Sequence, residues 1–195
     1  MDKSTDFTVC FTGHRPKGIF SHKPYDEVRR KDYQAIVDKL AELIGKLIQQ
    51  GYTQFITGGA QGFDQLAFWA VHKAKIAYNY KYNGNDIVNV VFIPFVGQER
   101  KWAKTGLFSQ NEYNQMLGYA DEIKVCTENI DTGNFPQVTK ALMYRNKCMV
   151  NDSSYVLGQF ADDSWQNYTT KSGTADCLRY ARKMGRKIRL FNGAM

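Results

Sequence analysis

The residues best placed to do chemistry in this 195-residue chain gather around one stretch, Thr57-Gly58-Gly59-Ala60-Gln61-Gly62-Phe63-Asp64. A β-branched and aromatic run, Phe55-Ile56-Thr57, stops at two glycines, and a helical pattern begins just past a third. Glycine turns tightly and carries no Cβ to hold a ligand off the main chain. A helix opening at Phe63 presents unpaired N–H groups and the positive end of its dipole to the turn. Together these features predict an anion site, suited to the phosphate or diphosphate of a nucleotide-derived small molecule. The same glycines would also serve close strand–helix packing with no ligand at all. Their G-G-x-x-G spacing follows the second strand, whereas the dinucleotide fingerprint G-x-G-x-x-G follows the first. A standard NAD-dehydrogenase turn is therefore not expected.

Other candidates surround this turn. Asp64 falls in the first helical turn, where a carboxylate suits the dipole. It can act as a cap or brace, or accept hydrogen bonds from ribose hydroxyls. Val138, Leu142, Arg145 and Met149 recur at steps of four, three and four, which puts Arg145 on an apolar helical stripe. An arginine there must pair with a carboxylate, reach an anionic ligand, or lift its head to solvent. Gly13-His14-Arg15 ends the first strand, and Arg15 can grip a phosphate as a fork. His14 can donate or accept, or serve only as a structural hydrogen-bonder. Ser172-Gly173-Thr174 opens the last helix and offers a second anion site, or plain N-capping. Arg179, Arg182, Lys183, Arg186, Lys187 and Arg189 form a basic cluster without interleaved aromatics, which predicts weak nucleic-acid binding at most. No residue can be assigned a catalytic role, no grouping has metal-ligand spacing, and no cofactor is expected.

These residues need elements to hold them. Strands are predicted at Phe7–Thr12, Phe55–Thr57, Ile87–Ile93, Glu122–Cys126, Ser154–Phe160 and Lys187–Phe191. Helices are predicted at Asp26–Gln50, from Phe63 onward, at Ser109–Leu117, Gln137–Val150 and Gly173–Met184. Gly13–Gly18 and the tyrosine-rich stretch Asn79–Asn85 are expected to be loops. Strands alternate with helices, and several strands are apolar on both faces. The pattern predicts an α/β, Rossmann-like three-layer sandwich, a mostly parallel sheet flanked by helices. Ligands of such sheets bind beyond the carboxyl ends of the strands, where the first, second and fifth connections can converge.

Composition sets the bounds. The chain has the length of one domain, and no apolar run reaches membrane-spanning length, so no membrane partner is expected. Met1–Asp6 does not read as a signal peptide, and Cys10, Cys126, Cys148 and Cys177 share no close spacing. Both point to a cytoplasmic protein with reduced thiols. The formal charge of +7 favours anionic partners without naming one. The oligomeric state, monomer or homodimer, stays open.

Three blocks also carry a resemblance. Cys10-Phe11-Thr12-Gly13-His14-Arg15-Pro16, Thr57 to Asp64, and Met143-Tyr144-Arg145-Asn146-Lys147-Cys148-Met149-Val150 resemble the YpsA-like proteins of the SLOG superfamily of Rossmann-like domains. Order and spacing match through Ser172-Gly173-Thr174, so the resemblance implies one such domain over residues 1–195. It also implies a pocket for nucleotide-derived ligands, ADP-ribose-like ones among them, and a sensor or regulator's role. Two better-defined relatives set alternatives. Lonely Guy phosphoribohydrolases carry R-K-x-x-M and P-G-G-x-G-T-x-x-E. Arg145 and Met149 match the first, with Asn146 in place of the lysine. Ser172-Gly173-Thr174 matches the second loosely, with Cys177 where the glutamate belongs. A thiol cannot supply that carboxylate's chemistry, so N-glycosidic cleavage of nucleotides by that route is not expected. The DNA-processing recombinase loader has a turn similar to Gly58–Asp64, with Ala67 also matching and Phe68 at its histidine position. That likeness keeps single-stranded DNA as a second alternative.

Overall fold

The computed structural model describes residues 5–20, 30–82 and 86–192. Six strands form one sheet: β1 (Thr8–Thr12), β2 (Gln54–Thr57), β3 (Val88–Ile93), β4 (Glu122–Val125), β5 (Tyr155–Gly158) and β6 (Lys187–Leu190). They lie in the order β4-β3-β2-β1-β5-β6, and each neighbouring pair is parallel. Helices connect them: α1 (Pro16–Ile19), α2 (Arg30–Gln49), α3 (Phe63–Tyr82), α4 (Gln110–Gly118), α5 (Phe135–Asn151) and α6 (Gly173–Lys183). This is a Rossmann-like α/β three-layer fold. No helix among the described residues is long and apolar enough to cross a membrane.

The period-two alternation of a strand sorts the core into layers. Val9 and Phe11 of β1, Phe55 of β2 and Leu157 of β5 face one way, into a cluster with Ile36, Leu40 and Ile44 of α2 and Leu66 and Ala70 of α3. Cys10, Ile56 and Val156 face the other way, against Met149 and Val150 of α5 and Leu178 and Ala181 of α6. Hence β1 and β5 are buried along their whole length, and their sequences are apolar on both faces. Strand β4, at one edge, is exposed throughout.

The elements fall where periodicity puts them, with local differences. The polar run Asn79–Tyr82 is helical, the last turn of α3, because no glycine or proline precedes Gly84 to stop it. Residues 83–85 lie outside the described residues, as do residues 26–29 of the expected start of α2. Within the expected loop Gly13–Gly18, Pro16 opens the helical turn α1, whose first position suits its fixed φ. Phe7 belongs to a 3-10 turn ahead of β1, and Cys126 lies one residue past β4.

One contact joins the first two connections. The Phe63 N–H donates to the His14 carbonyl at 3.1 Å, tying the loop after β1 to the start of α3. Gly62 makes this approach feasible: its φ is +99°, and a Cβ there would lie 2.5 Å from the His14 carbonyl oxygen. Gly62→Ala should therefore destabilise the fold by about 1–3 kcal/mol. Gly45 sits inside α2, where an added Cβ meets nothing within 4 Å. Gly45→Ala should stabilise by about 0.5–1 kcal/mol. Urea unfolding midpoints shifting in opposite directions are the expected result; a neutral Gly62→Ala would refute the packing account.

Candidate functional site

A cleft of about 350 Å3 opens at the carboxyl end of β1, where the strand order runs one way to β4 and the other way to β6. Such switch points are where open α/β sheets hold their ligands. Four chain segments wall it. Thr12, Gly13, His14 and Arg15 follow β1, while Ala60, Gln61 and Asp64 follow β2. Helix α5 contributes Thr139, Leu142, Met143, Arg145 and Asn146. The start of α6 contributes Ser172, Gly173, Thr174 and Asp176. The first, second and fifth connections do converge.

The glycine turn is used differently from expectation. Ala60, Gln61 and Asp64 open onto the cleft, but Thr57, Gly58, Gly59 and Gly62 do not line it. Thr57 is fully buried. Gly59 has φ +65°, and a Cβ there would face Val91, Tyr113 and Met116 at 3.1–3.3 Å, beneath α4. At Gly58 a Cβ would fall 1.5 Å from Nη1 of Arg145. These glycines make room for protein atoms, which is the packing alternative.

Arg145 and Asp64 answer one another. The Arg145 Nη1 donates to the Gly58 carbonyl and lies 3.2 Å from Oδ2 of Asp64. The same oxygen accepts the Ala60 N–H at 3.2 Å. Only 6% of the arginine side chain and 9% of the aspartate side chain reach solvent. Burial pushes the Asp64 carboxyl above its ordinary pKa, and Arg145, the Ala60 N–H and Arg15 only partly offset it. The pair braces the cleft floor and leaves it close to neutral.

The rim is more polar. The His14 N–H donates to Oε1 of Gln159 at 3.1 Å, and the Gln159 N–H donates to the Thr12 carbonyl at 2.8 Å. Sequence reasoning passed over Gln159 because it counted the residue within the fifth strand, which instead ends at Gly158. The His14 ring lies 4.8 Å from that of Phe160, and burial lowers its pKa, which favours the neutral ring. Arg15 stands exposed at the mouth. Ser172 caps α6, its Oγ accepting the Ala175 N–H at 3.4 Å and its carbonyl the Asp176 N–H at 2.9 Å. Gly173 and Thr174 therefore present first-turn N–H groups at the cleft wall. Cys177 is buried behind this turn, beside Thr12, and burial pushes its thiol up to about 11.

Much of the basic C-terminal cluster is structural. Arg179 donates to the carbonyls of Trp165, Asn167 and Thr170 at 2.7, 2.9 and 3.2 Å, and pairs with Asp176. Arg182 holds Gln166 at 2.8 Å and Arg186 the Asn151 carbonyl at 3.1 Å. The Arg179 and Arg182 bonds fix the segment that delivers Ser172 to the cleft, and the Arg186 bond holds the end of α5.

Gly58→Ala should displace the guanidinium and leave Asp64 unpaired, costing about 3–5 kcal/mol, as breaking a buried ion pair does. In an Arg145→Ala, Asp64→Ala background the same change should cost far less. Equal costs in both backgrounds, measured by denaturant unfolding, would show that Gly58 does not serve the arginine.

Residues 9–192 match the model of the YspA SLOG family. The chain is also 35% identical over 153 residues to the uncharacterized SPbeta prophage-derived protein YoqJ of Bacillus subtilis (strain 168), a match covering 75% of this chain and 80% of that protein. With the Rossmann-like sheet and the three motif blocks in place, this chain belongs to the YspA SLOG family, the YpsA-like branch of that superfamily.

Proposed function

We propose that the cleft binds the phosphate or diphosphate group of a nucleotide-derived small molecule, such as an ADP-ribose-like compound, and that the protein acts as its sensor or regulator. One observation carries this reading: the N-terminus of α6 and Arg15 border the same cleft at the sheet's switch point. The helix offers N–H groups and the positive end of its dipole, and Arg15 offers a fork of donors. The neutralised Asp64–Arg145 floor lets an anion approach where a free carboxylate would repel it. Phosphate recognition thus moves from the glycine turn to Ser172-Gly173-Thr174. Membership in the SLOG family supports a nucleotide-related ligand.

A phosphoribohydrolase reading has less support. The cleft does hold a carboxyl with a raised pKa, Asp64, but Arg145 and the Ala60 N–H already engage it. Asp176 is engaged by Arg179, and the neighbouring Cys177 is a buried thiol. A DNA-binding reading loses ground because Arg179 is committed to three backbone carbonyls, and Arg182 and Arg186 bond to Gln166 and the Asn151 carbonyl at the surface.

Thermal shift across nucleotides, ADP-ribose and dinucleotides tests the proposal. A ligand at a hundred times its dissociation constant should stabilise the fold by about 2.7 kcal/mol. A Cβ at Gly173 would meet nothing within 4 Å, so Gly173→Glu should fold normally. Its carboxylate would occupy and charge the anion site, and the ligand's shift should vanish. An unchanged shift in that variant would remove phosphate from the start of α6. Nucleoside monophosphates should release no free base above background; release that Asp64→Asn abolishes would install the hydrolase reading instead.

A further inference from the structure

On the other flank of α5 lies a larger concavity of about 850 Å3, with the opposite character. Phe135, Met143 and Tyr144 line it around the buried Ala141, and they are 78%, 45% and 52% exposed. Large apolar groups left in water this way mark a surface that something covers. Among the described residues no carboxylate lines the groove, whereas Lys140 and Lys147 do.

Thr139 and Met143 line both the groove and the polar cleft. They stand one helical turn apart on α5, so they form a ridge with the α6 start on one side and the aromatic groove on the other. A helix with its side chains is ~10 Å across. One molecule extended over about that distance can occupy both concavities.

We propose that the ligand is two-ended: its phosphate or diphosphate group sits at the start of α6, and a nucleoside joined to it crosses the Thr139–Met143 ridge to lay an aromatic base against Tyr144 and Phe135. This inference rests on the reading of the cleft as a phosphoryl site. Rings provide the faces on which a base stacks. Lys140 and Lys147, which line the groove, add positive charge on the side of the ridge toward which the anionic nucleotide extends. The same lysines argue against a second copy of the chain as occupant, since two copies would bring like charges onto one patch that no acid lines. The site thus favours diphosphate-linked nucleotides over simple sugar phosphates.

Titration calorimetry with two probes, ADP-ribose and ribose 5-phosphate, tests this on the parent, Tyr144→Ala and Phe135→Ala. Both side chains are more than half exposed, so neither truncation hollows the core. The parent should bind ADP-ribose at least about tenfold more tightly than ribose 5-phosphate, and each variant should lose on the order of tenfold for ADP-ribose alone. Unaltered ADP-ribose affinity in both variants overturns the two-ended ligand and leaves the phosphoryl site standing. If the parent binds neither probe while remaining folded, the phosphoryl reading falls and this inference falls with it. Sedimentation showing a dimer that Tyr144→Ala dissociates would assign the groove to a second copy and also overturn the inference.

Discussion

The carboxyl end of the sheet depends on one buried interaction, the Arg145–Asp64 pair at the end of β2. The arginine comes from α5, on one face of the sheet, and the aspartate from the first turn of α3, on the other. Their contact, with the bond to the Gly58 carbonyl, ties three layers together at the level where the cleft forms. Taking two charges out of water costs several kcal/mol per ion unless geometry and further hydrogen bonds compensate. Here the Gly58 carbonyl and the Ala60 N–H supply those bonds. The arrangement demands a bare α-carbon at position 58, where one guanidinium nitrogen, Nη1, reaches both the Gly58 carbonyl and the Asp64 carboxylate. The contacts link the start of α3 and the middle of α5 across the end of β2.

Around that tie the cleft and the groove divide the work of α5 between two flanks. Arg145 and Asn146 face the polar side, Lys140 and Tyr144 the apolar side, and Thr139 with Met143 serves both. The far wall of the cleft is held by other means. Arg179 binds three carbonyls of the segment before α6, so a connection with little regular structure is still pinned in place. A long irregular stretch gains this order by satisfying its backbone acceptors from a single side chain.

The fold was legible because its signals are periodic. Alternation in β1 and the three- and four-residue recurrence in α2 specify which atoms must be buried, whatever the neighbours are. Boundaries were less so: Asn79–Tyr82 is polar, but a helix continues until something stops it. The site was half legible. That Arg145 had to find an anion or lift its head to solvent follows from its place on an apolar stripe, and that Ser172 begins a helix follows from capping chemistry. What could not be read was the partner. A strand, two glycines and a helix look the same whether the glycines admit a phosphate or a guanidinium from 87 residues further on. The worth of Gln159 was hidden for the same reason, since it lies in the His14 N–H, 145 residues away in the chain.

The scatter of the cleft's walls along the chain has a temporal consequence. They run from Thr12 to Asp176, and no two neighbouring segments can enclose the space alone. During synthesis β1, β2 and β3 can pair and α2 and α3 can cover one face before α6 exists. Until the last helix docks beside α5 there is a sheet but no enclosed cleft, because contacts of such long sequence separation close late. The cleft is therefore complete only once α6 has been made, and a chain truncated before that helix lacks one of its walls.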